Sequence, residues 1–517
     1  MVEGTVQDCR EVEPITAWDM MLSFLICLAT ILVFIVWDSR LLHWCLIPLF
    51  ICGVIVGTDA VRWLRRRVDT FDPKGIIGVF GLNFFFLAPL LVAHYGADYN
   101  QYDGGTPRDW RFWIGVMGWL NVLGLTVYQL SQWFSFRHCR PAKRLWLPSP
   151  GRSQLILWTA ILLSIVAWGI VMVRMGGFGG MVEEKLYMVG RKAGLGTFRF
   201  LAAALVPLLF MAFSVRRKSN ARVSILLVVL ALILAAVIQF LTSGFLGSRR
   251  IVVFALVWVV GIIHYYWREL SPKMLLLIMV PVVLFAFVYG LYKAAGARFL
   301  DVLRGRTSLA QVAAATDETI GGVLVTDISR ADIQAWMAYK QRTFRSDYSP
   351  RHGRTYLWAP ITLRPSWLFP KKVGHSEKTI AGTEYMYGKG YFDPAKGRAS
   401  FRVYGLAGEA ILNFGLWAIP LAFAFWGFLV GYLRKKWISW PMGDSRLLIM
   451  PFLTILAVWM LASDSDNFWN AVIGHLIIPA FVIFLISSRS YVDTESQLES
   501  EAAADYEVAA DVSWQRS

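Results

Sequence analysis

The 517-residue chain is 56% apolar, with 23 tryptophans, 34 phenylalanines and a mean hydropathy of +0.51. These values lie outside the usual range of soluble domains and indicate a polytopic membrane protein. Basic loops flanking membrane helices explain the formal net charge of +16, so nucleic acid is not an expected partner. The five cysteines form no CxxC pair or Cys/His cluster, which argues against a disulfide framework and a zinc site.

Runs of about 17 to 25 apolar residues can cross a hydrocarbon layer of about 30 Å as helices. Five acidic residues precede the first run and no small-residue cleavage site follows it, so we expect this helix to be retained. The sequence predicts an all-α fold with twelve transmembrane helices at residues 20–37, 41–61, 75–95, 112–133, 154–173, 197–214, 223–241, 251–267, 274–292, 408–433, 447–463 and 468–487.

Lysine and arginine are retained on the cytoplasmic side of membrane proteins, which fixes the orientation of the helices. Four basic connectors, at residues 62–67, 137–144, 215–222 and 433–437, fall on one side, so we expect both termini in the cytoplasm. The predicted organisation is a cytoplasmic N-terminal segment (1–19), helices one to nine (20–292), an outer loop with an amphipathic helix (293–405), helices ten to twelve (406–487) and an acidic cytoplasmic tail (488–517). We expect the part of this tail after Tyr491 to be disordered.

Three elements on the outer side are basic, against the charge rule. Arg249 and Arg250 lie in the short connector 242–250, Arg191 lies in the connector 174–196, and residues 293–402 hold eighteen Lys/Arg against nine Asp/Glu. Long translocated loops can ignore the charge rule, and flanking arginines can reach lipid headgroups. For three elements together we prefer a site for an anionic ligand at the outer membrane surface.

The long outer loop contains two distinct patterns. A helix is predicted over residues 327–344, capped by Asp327 or Ser329 and lying flat on the membrane or packing under the loop. Residues 349–375 interleave basic and aromatic side chains, a composition suited to phosphate and sugar, and Pro360, Pro365 and Pro370 predict an irregular loop there.

Helix ten begins with "GEAILNFG", which places Glu409 and Asn413 on one face near the outer boundary. A carboxylate at that depth is costly unless it is paired, so Glu409 is a candidate functional residue. The alternative is a structural ion pair with an outer-loop arginine.

Four stretches, "GMVEEKLYMVGRKAGLGTF", "GSRR", "ITLRPSWLFPKK" and "GEAILNFGLWAIPL", together with the twelve-helix layout, resemble the O-antigen polymerase (Wzy-type) or oligosaccharide repeat-unit polymerase family of bacteria. The resemblance covers residues 174 to 487. It implies a GT-C-type glycosyltransferase of the inner membrane that acts on the periplasmic face. Such an enzyme transfers the growing glycan from undecaprenyl pyrophosphate to a hydroxyl group of the next lipid-linked repeat unit, among membrane lipids and alongside a chain-length regulator and a flippase.

The resemblance also implies site residues. The proposed pyrophosphate-binding residues are Arg249, Arg250, Arg364, Lys371 and Lys372. The catalytic candidates are Glu409, ranked first as general base, and His352. Further candidates are Arg191, Arg351, Arg354, Arg402, His375 and Asn413. The chain has "LRP" where the family has Pro-Arg, and it lacks Pro after the lysines, which leaves open which lysine faces the ligand.

We expect no cofactor. Asp464 and Asp466 resemble the Asp-x-Asp pairs that hold divalent metal in some sugar transferases, but a three-residue turn is more often a solvated connector. Two other functions fit the same data: an O-antigen-ligase-like glycan transferase, and a lipid-linked oligosaccharide flippase or secondary transporter. A transporter should have matching halves and charges near mid-membrane, whereas this sequence has no internal repeat and its suspect charges lie at the outer boundary.

Overall fold

The computed structural model describes residues 14–95, 107–137, 142, 144–149, 151–187, 194–216, 223–244, 249–295, 306, 308, 311, 329–343, 348–362, 377–441 and 443–491. Of Arg249 only the backbone is described. These residues form twenty α-helices: α1 (Ala17–Trp37), α2 (Leu46–Leu64), α3 (Pro73–Leu82), α4 (Ala88–Tyr95), α5 (Trp110–Phe136), α6 (Arg152–Met175), α7 (Gly177–Tyr187), α8 (Gly196–Ala203), α9 (Leu205–Arg216), α10 (Ile225–Gln239), α11 (Arg249–Ile262), α12 (Pro272–Ala295), α13 (Ala331–Thr343), α14 (Arg354–Thr362), α15 (Glu377–Tyr387), α16 (Gly405–Phe414), α17 (Ile419–Ser439), α18 (Met450–Ala462), α19 (Ser465–Ala471) and α20 (Ile477–Ile486).

The protein is an all-α polytopic membrane protein. Eleven helical segments of the described chain are long and apolar enough to span a membrane: Ala17–Trp37, Leu46–Leu64, Pro73–Tyr95, Trp110–Phe136, Arg152–Met175, Gly196–Arg216, Ile225–Ser243, Arg250–Trp267, Leu416–Ser439, Ser445–Ala462 and Ser465–Ile486. They correspond to eleven of the twelve predicted helices. The predicted helix 274–292 falls within α12, whose described apolar part, Pro272–Val282, is shorter than the others.

Four spans contain a π-helical segment, in which one extra residue is accommodated in a helical turn. These segments are Asn83–Leu87, Phe240–Gly244, Ile263–Trp267 and Val472–Leu476. In the last of them, the carbonyl of His475 accepts a hydrogen bond from the indole Nε1 of Trp258 at 3.0 Å. The π segments therefore change which residues face the neighbouring helices without ending the span.

Close packing of α5 against α17 forms the centre of one of the two apolar cores. The side chains of Tyr128 and Trp426 stack with ring centroids 4.2 Å apart. Next to them, a Cβ atom added at Gly427 would lie 2.4 Å from the backbone oxygen of Tyr128. The helices therefore approach more closely than any larger residue at position 427 allows, as is common for small residues in membrane helix pairs.

Predicted helix ten, residues 408–433, is two helices rather than one. The chain ends α16 at Phe414, passes Gly415 with a φ of +86°, and begins α17 at Ile419 after a 3-10 turn. A positive φ is readily accessible to glycine and interrupts the helical hydrogen bonds. Glu409 therefore lies in α16, outside the candidate span Leu416–Ser439.

One further prediction about the outer loop needs correction. The segment containing Pro360 was expected to be irregular, but it forms α14, with Pro360 near the end of this nine-residue helix. A proline there removes only one backbone donor, so a short helix tolerates it.

The helix predicted over residues 327–344 is α13. It packs against α4, α5 and α16 with Trp336 and Met337 buried, which agrees with the packed one of the two predicted arrangements.

A small antiparallel sheet was not predicted. Strand β1 (Arg144–Pro148) pairs with β2 (Ser487–Tyr491), in a register that places Trp146 opposite Arg489. The first residues of the acidic tail, 488–491, therefore belong to β2, whose backbone groups bond to a strand distant in sequence. The part predicted to be disordered, after Tyr491, lies outside the described residues.

Candidate functional site

Glu409 lies in a buried hydrogen-bonded pocket formed by α14, α16 and α19. Its side chain is 2% exposed. Oε1 accepts hydrogen bonds of 2.6 Å from the hydroxyls of Thr355 and Ser465, and Oε2 accepts one of 2.7 Å from the backbone N–H of Ser465. No lysine or arginine of the described chain forms an ion pair with this carboxylate, so the predicted pairing with an outer-loop arginine is not found there.

Asn413, one turn beyond Glu409, connects α16 to the chain before α14. Its Nδ2 donates to the Thr355 hydroxyl at 2.7 Å and to the Glu409 carbonyl at 2.9 Å. Its Oδ1 accepts the backbone N–H of Gly353 at 3.1 Å, and its carbonyl accepts the N–H of His352 at 2.9 Å. Asn413 thus orients Thr355, which in turn donates to Glu409.

Next to Glu409 lies a buried ion pair between α15 and the start of α19. Asp464 is 0% exposed, and its Oδ2 lies 3.0 Å from Nζ of Lys378, whose side chain is 5% exposed. Asp464 Oδ1 accepts the backbone N–H groups of Tyr404 and Gly405 at 2.7 and 2.9 Å. Oδ1 of this carboxylate is therefore hydrogen-bonded to the backbone, while Oδ2 is paired with Lys378.

Arg250 contacts the same short helix from the other side. Its two terminal nitrogens donate to Oδ1 of Asn467 at 2.6 Å and to Oδ1 of Asn470 at 3.0 Å. Both partners are neutral amides, so these contacts hold the guanidinium in place without cancelling its charge. Arg250 and Asp466 are both half-buried.

The helix α19 is therefore hydrogen-bonded to two of the predicted site residues. Ser465, its first residue, bonds Glu409, while Asn467 and Asn470 bond Arg250. The five residue steps from Ser465 to Asn470 correspond to about 7.5 Å along a helix axis. A cation from α11 and a carboxylate from α16, far apart in the sequence, are thus neighbours.

The electrostatic surroundings give Glu409 and Lys378 different protonation behaviour. Burial and then the negative charge of Asp464 raise the pKa of Glu409 to about 7, although hydrogen bonds from Ser465 and Thr355 act to lower it. Burial alone would lower the pKa of Lys378, but Asp464 and Asp466 offset this effect and leave it raised. Lys378 therefore stays charged, while Glu409 can exchange a proton near neutral pH.

The other described candidates lie around this centre. Arg351 forms ion pairs with Glu384 and, at 3.6 Å, with Glu377. His352 is exposed, with a φ of +47° in the left-handed region, and Arg354 is exposed at the start of α14. The Arg402 carbonyl accepts a hydrogen bond from Lys378 at 3.1 Å, so its backbone borders the ion pair. Arg191, Arg364, Lys371, Lys372 and His375 lie outside the described residues.

Sequence reasoning missed the residues that hold the candidates in place. These are Thr355, Lys378, Ser465, Asn467 and Asn470. The polar string "SDSDN" was the available signal, since it interrupts two apolar runs, but its partners are distant in sequence.

A second group of ion pairs, each with a buried carboxylate, lies toward the other end of the bundle. Asp72 pairs with Arg434 at 2.9 Å, and Asp59 lies 3.4 Å from Nζ of Lys74. Asp19 and Arg65 form a further pair at 2.7 Å. These charges were not among the site residues predicted from the sequence.

Comparisons of the chain with models of known families, with curated proteins and with solved structures found no match.

Proposed function

We propose that this protein is a membrane glycosyltransferase that polymerises oligosaccharide repeat units carried on undecaprenyl pyrophosphate. It would work at the periplasmic face of the bacterial inner membrane, with both termini in the cytoplasm, and add the growing glycan to a hydroxyl group of the incoming unit. The sequence resemblance suggests this chemistry. One structural observation supports it: α19 holds Arg250 and Glu409 as neighbours.

Arg250 is suited to the leaving diphosphate. Transfer breaks the bond between the sugar C1 and the diphosphate oxygen, and the electron pair leaves with that oxygen. A fixed guanidinium stabilises this developing charge without reorganising during the reaction. Of its five N–H donors, three remain after the bonds to Asn467 and Asn470, and they can bind phosphate oxygens.

Glu409 is suited to receive the proton from the acceptor hydroxyl, acting through Ser465. Glu409 is buried, whereas Ser465 is half-buried and its hydroxyl donates to Glu409 Oε1 at 2.6 Å. The acceptor O–H bond would break as its oxygen attacks C1, its proton passing to Ser465 while the Ser465 proton passes to Glu409. In this scheme Ser465 touches the substrate, and Glu409 is the final proton acceptor.

Two other functions remain as alternatives. An O-antigen-ligase-like transferase would share the donor and the leaving group, and only its acceptor would differ. A lipid-linked oligosaccharide flippase or transporter is favoured by the buried charges Asp59, Lys74, Asp72 and Arg434, because ionisable residues inside membrane segments often mark transport paths. Each of these four is paired, which also suits a structural role.

An elongation assay with the purified full-length protein and a lipid-linked repeat unit tests the proposal. We expect glycan chains to lengthen with the wild type, and Arg250→Gln to reduce the rate by about 10²-fold or more. Glu409→Gln and Ser465→Ala should also reduce elongation. Lys396→Gln, which removes an exposed charge from the segment between α15 and α16, serves as the matched control.

Size-exclusion profiles of all variants separate loss of chemistry from loss of folding. Lipid movement across vesicles without elongation would refute the polymerase and favour the flippase. Transfer of preformed glycan only to a different acceptor would favour the ligase. Full activity in folded Arg250→Gln would remove the proposed role of this residue.

A further inference from the structure

The outward face of α14 is largely apolar. The exposed side chains described for this helix are those of Arg354, Leu357, Trp358 and Ile361, and the last three are 70%, 38% and 37% exposed. At 100° per residue, all four lie within an arc of about 100° on one side of the helix. Thr355 and Ala359, on the other side, are 1% and 2% exposed. The helix α14 therefore packs small side chains inward and directs large apolar side chains outward.

The inward face of α14 is fixed at the pocket of Glu409. The hydroxyl of Thr355 donates to Glu409 at 2.6 Å and accepts a hydrogen bond from Nδ2 of Asn413 at 2.7 Å. Just before the helix, the backbone N–H of His352 donates to the carbonyl of Asn413 at 2.9 Å. The helix cannot turn its apolar face toward the protein without breaking these contacts, so that face has to meet whatever surrounds the protein.

The start of α14 lies at the depth where a neighbouring helix enters the membrane. The helix α16 ends at Phe414, next to the start of the candidate span Leu416–Ser439. A Cβ atom added at Gly353, the residue before α14, would lie 3.4 Å from Cζ of Phe414. Phe414 and Trp417 are 53% and 83% exposed, as expected of side chains that face lipid. The apolar face of α14 therefore adjoins the lipid-facing surface of this span.

The composition of this face fits the boundary between hydrocarbon and lipid headgroups. Leu357 and Ile361 supply alkyl surface, and tryptophan is typical of that boundary because its ring is apolar and its N–H is polar. Arg354, at the start of the helix, has an apolar stem and a cationic end that suits lipid phosphate. Residues 354–362 include no acidic side chain that anionic lipid would repel. These are the features of a helix that lies in a membrane surface.

We propose that α14 docks in the membrane leaflet next to the start of the span Leu416–Ser439, with Leu357, Trp358 and Ile361 among the acyl chains. The occupant of this face is bilayer lipid. Because the inward face of the same helix holds Thr355 against Glu409, the docked leaflet sets the depth of this pocket relative to the membrane surface. The inference rests on the contacts of α14 and α16 and stands independently of the proposed transferase chemistry.

Site-directed spin labelling tests this docking in the full-length protein, reconstituted in nanodiscs of phosphatidylethanolamine and phosphatidylglycerol. Cys9 and Cys139 are replaced with serine, whereas the buried Cys27, Cys45 and Cys52 are retained. Labels are then attached separately at Leu357→Cys and Ile361→Cys. Each label should collide often with oxygen, which partitions into lipid, and rarely with a water-soluble nickel chelate. The ratio of the two collision rates should place both labels about 5–10 Å below the headgroup boundary.

Two labelled variants calibrate the measurement. Lys396→Cys is the control for water, because the Lys396 side chain is 69% exposed in the segment between α15 and α16. Trp417→Cys is the control for lipid, because Trp417 is 83% exposed within a candidate span. The labels on α14 should match Trp417→Cys. Nickel accessibility equal to that of Lys396→Cys would show that water covers the face, and low accessibility to both reagents would show that another protein surface, such as a second copy, covers it. Either result would overturn the proposal.

Discussion

Replacing Lys378 with methionine should destabilise the folded protein by about 3–5 kcal/mol, because the Asp464 carboxylate would remain buried without its cation. Nζ of Lys378 lies 3.0 Å from Asp464 and 3.8 Å from Asp466. With an effective dielectric constant of about 20, the nearer contact corresponds to about 5–6 kcal/mol of attraction. The two backbone donors that Asp464 retains, at Tyr404 and Gly405, keep the loss within that range.

Denaturant titration in detergent measures this change as a free energy of unfolding. Lys396→Met is the matched control, because Lys396 pairs with Asp393 at 3.3 Å but its side chain is 69% exposed. We expect the control to lose less than about 1 kcal/mol. In a double-mutant cycle, Lys378→Met/Asp464→Asn should lose at least about 1 kcal/mol less than the sum of the single variants. Equal losses for Lys378→Met and Lys396→Met, or strict additivity in the cycle, would refute the reasoning.

Two further predictions concern Glu409 and Gly427. The pKa of Glu409 is about 7 in the folded protein and 4.5 for the free side chain. The folded state therefore binds more protons between those values, and stability from this group falls as the pH rises from 4.5 to 7. Glu409→Gln should abolish this trend in titrations at several pH values, and a constant difference from the wild type would contradict it. Gly427→Ala should lower stability by about 1–3 kcal/mol, because the added methyl group would lie 2.4 Å from the Tyr128 oxygen. Gly169→Ala, whose added methyl group meets nothing within 4 Å, is its control and should not destabilise the protein.

Hydropathy located the membrane helices well because a backbone in hydrocarbon must satisfy its own hydrogen bonds, which requires long apolar helices. Interruptions within helices were harder to predict. Gly415 divides predicted helix ten, yet glycine is common inside membrane helices, so its presence alone did not indicate a break. Pro360 led to the opposite error: it predicted an irregular segment, whereas the structure has a short helix that tolerates the proline.

The sequence allowed prediction only of those site residues whose charge is energetically unfavourable in a membrane. Glu409 and Arg250 stood out because each carries charge beside an apolar run. Their supporting residues did not, because hydroxyl and amide side chains are ordinary in loops, and pairings such as Lys378 with Asp464 depend on tertiary folding. Local patterns contain no information about such distant partners.

The π-helical segment Val472–Leu476 divides the last span into two halves. Residues of the first half bond Arg250 and Glu409, and the second half leads into β2. This turn holds one residue more than an α-helical turn, so deleting a residue from it would leave a regular α-helix with the two halves nearly in phase. Deleting a residue from the α-helical part, Ile477–Ile486, would instead rotate one half relative to the other by about 100°. Ser465, Asn467 and Asn470 would then turn away from their partners while the sheet kept its register. The span therefore tolerates loss of a residue at the π segment and not in the α-helical part that follows it.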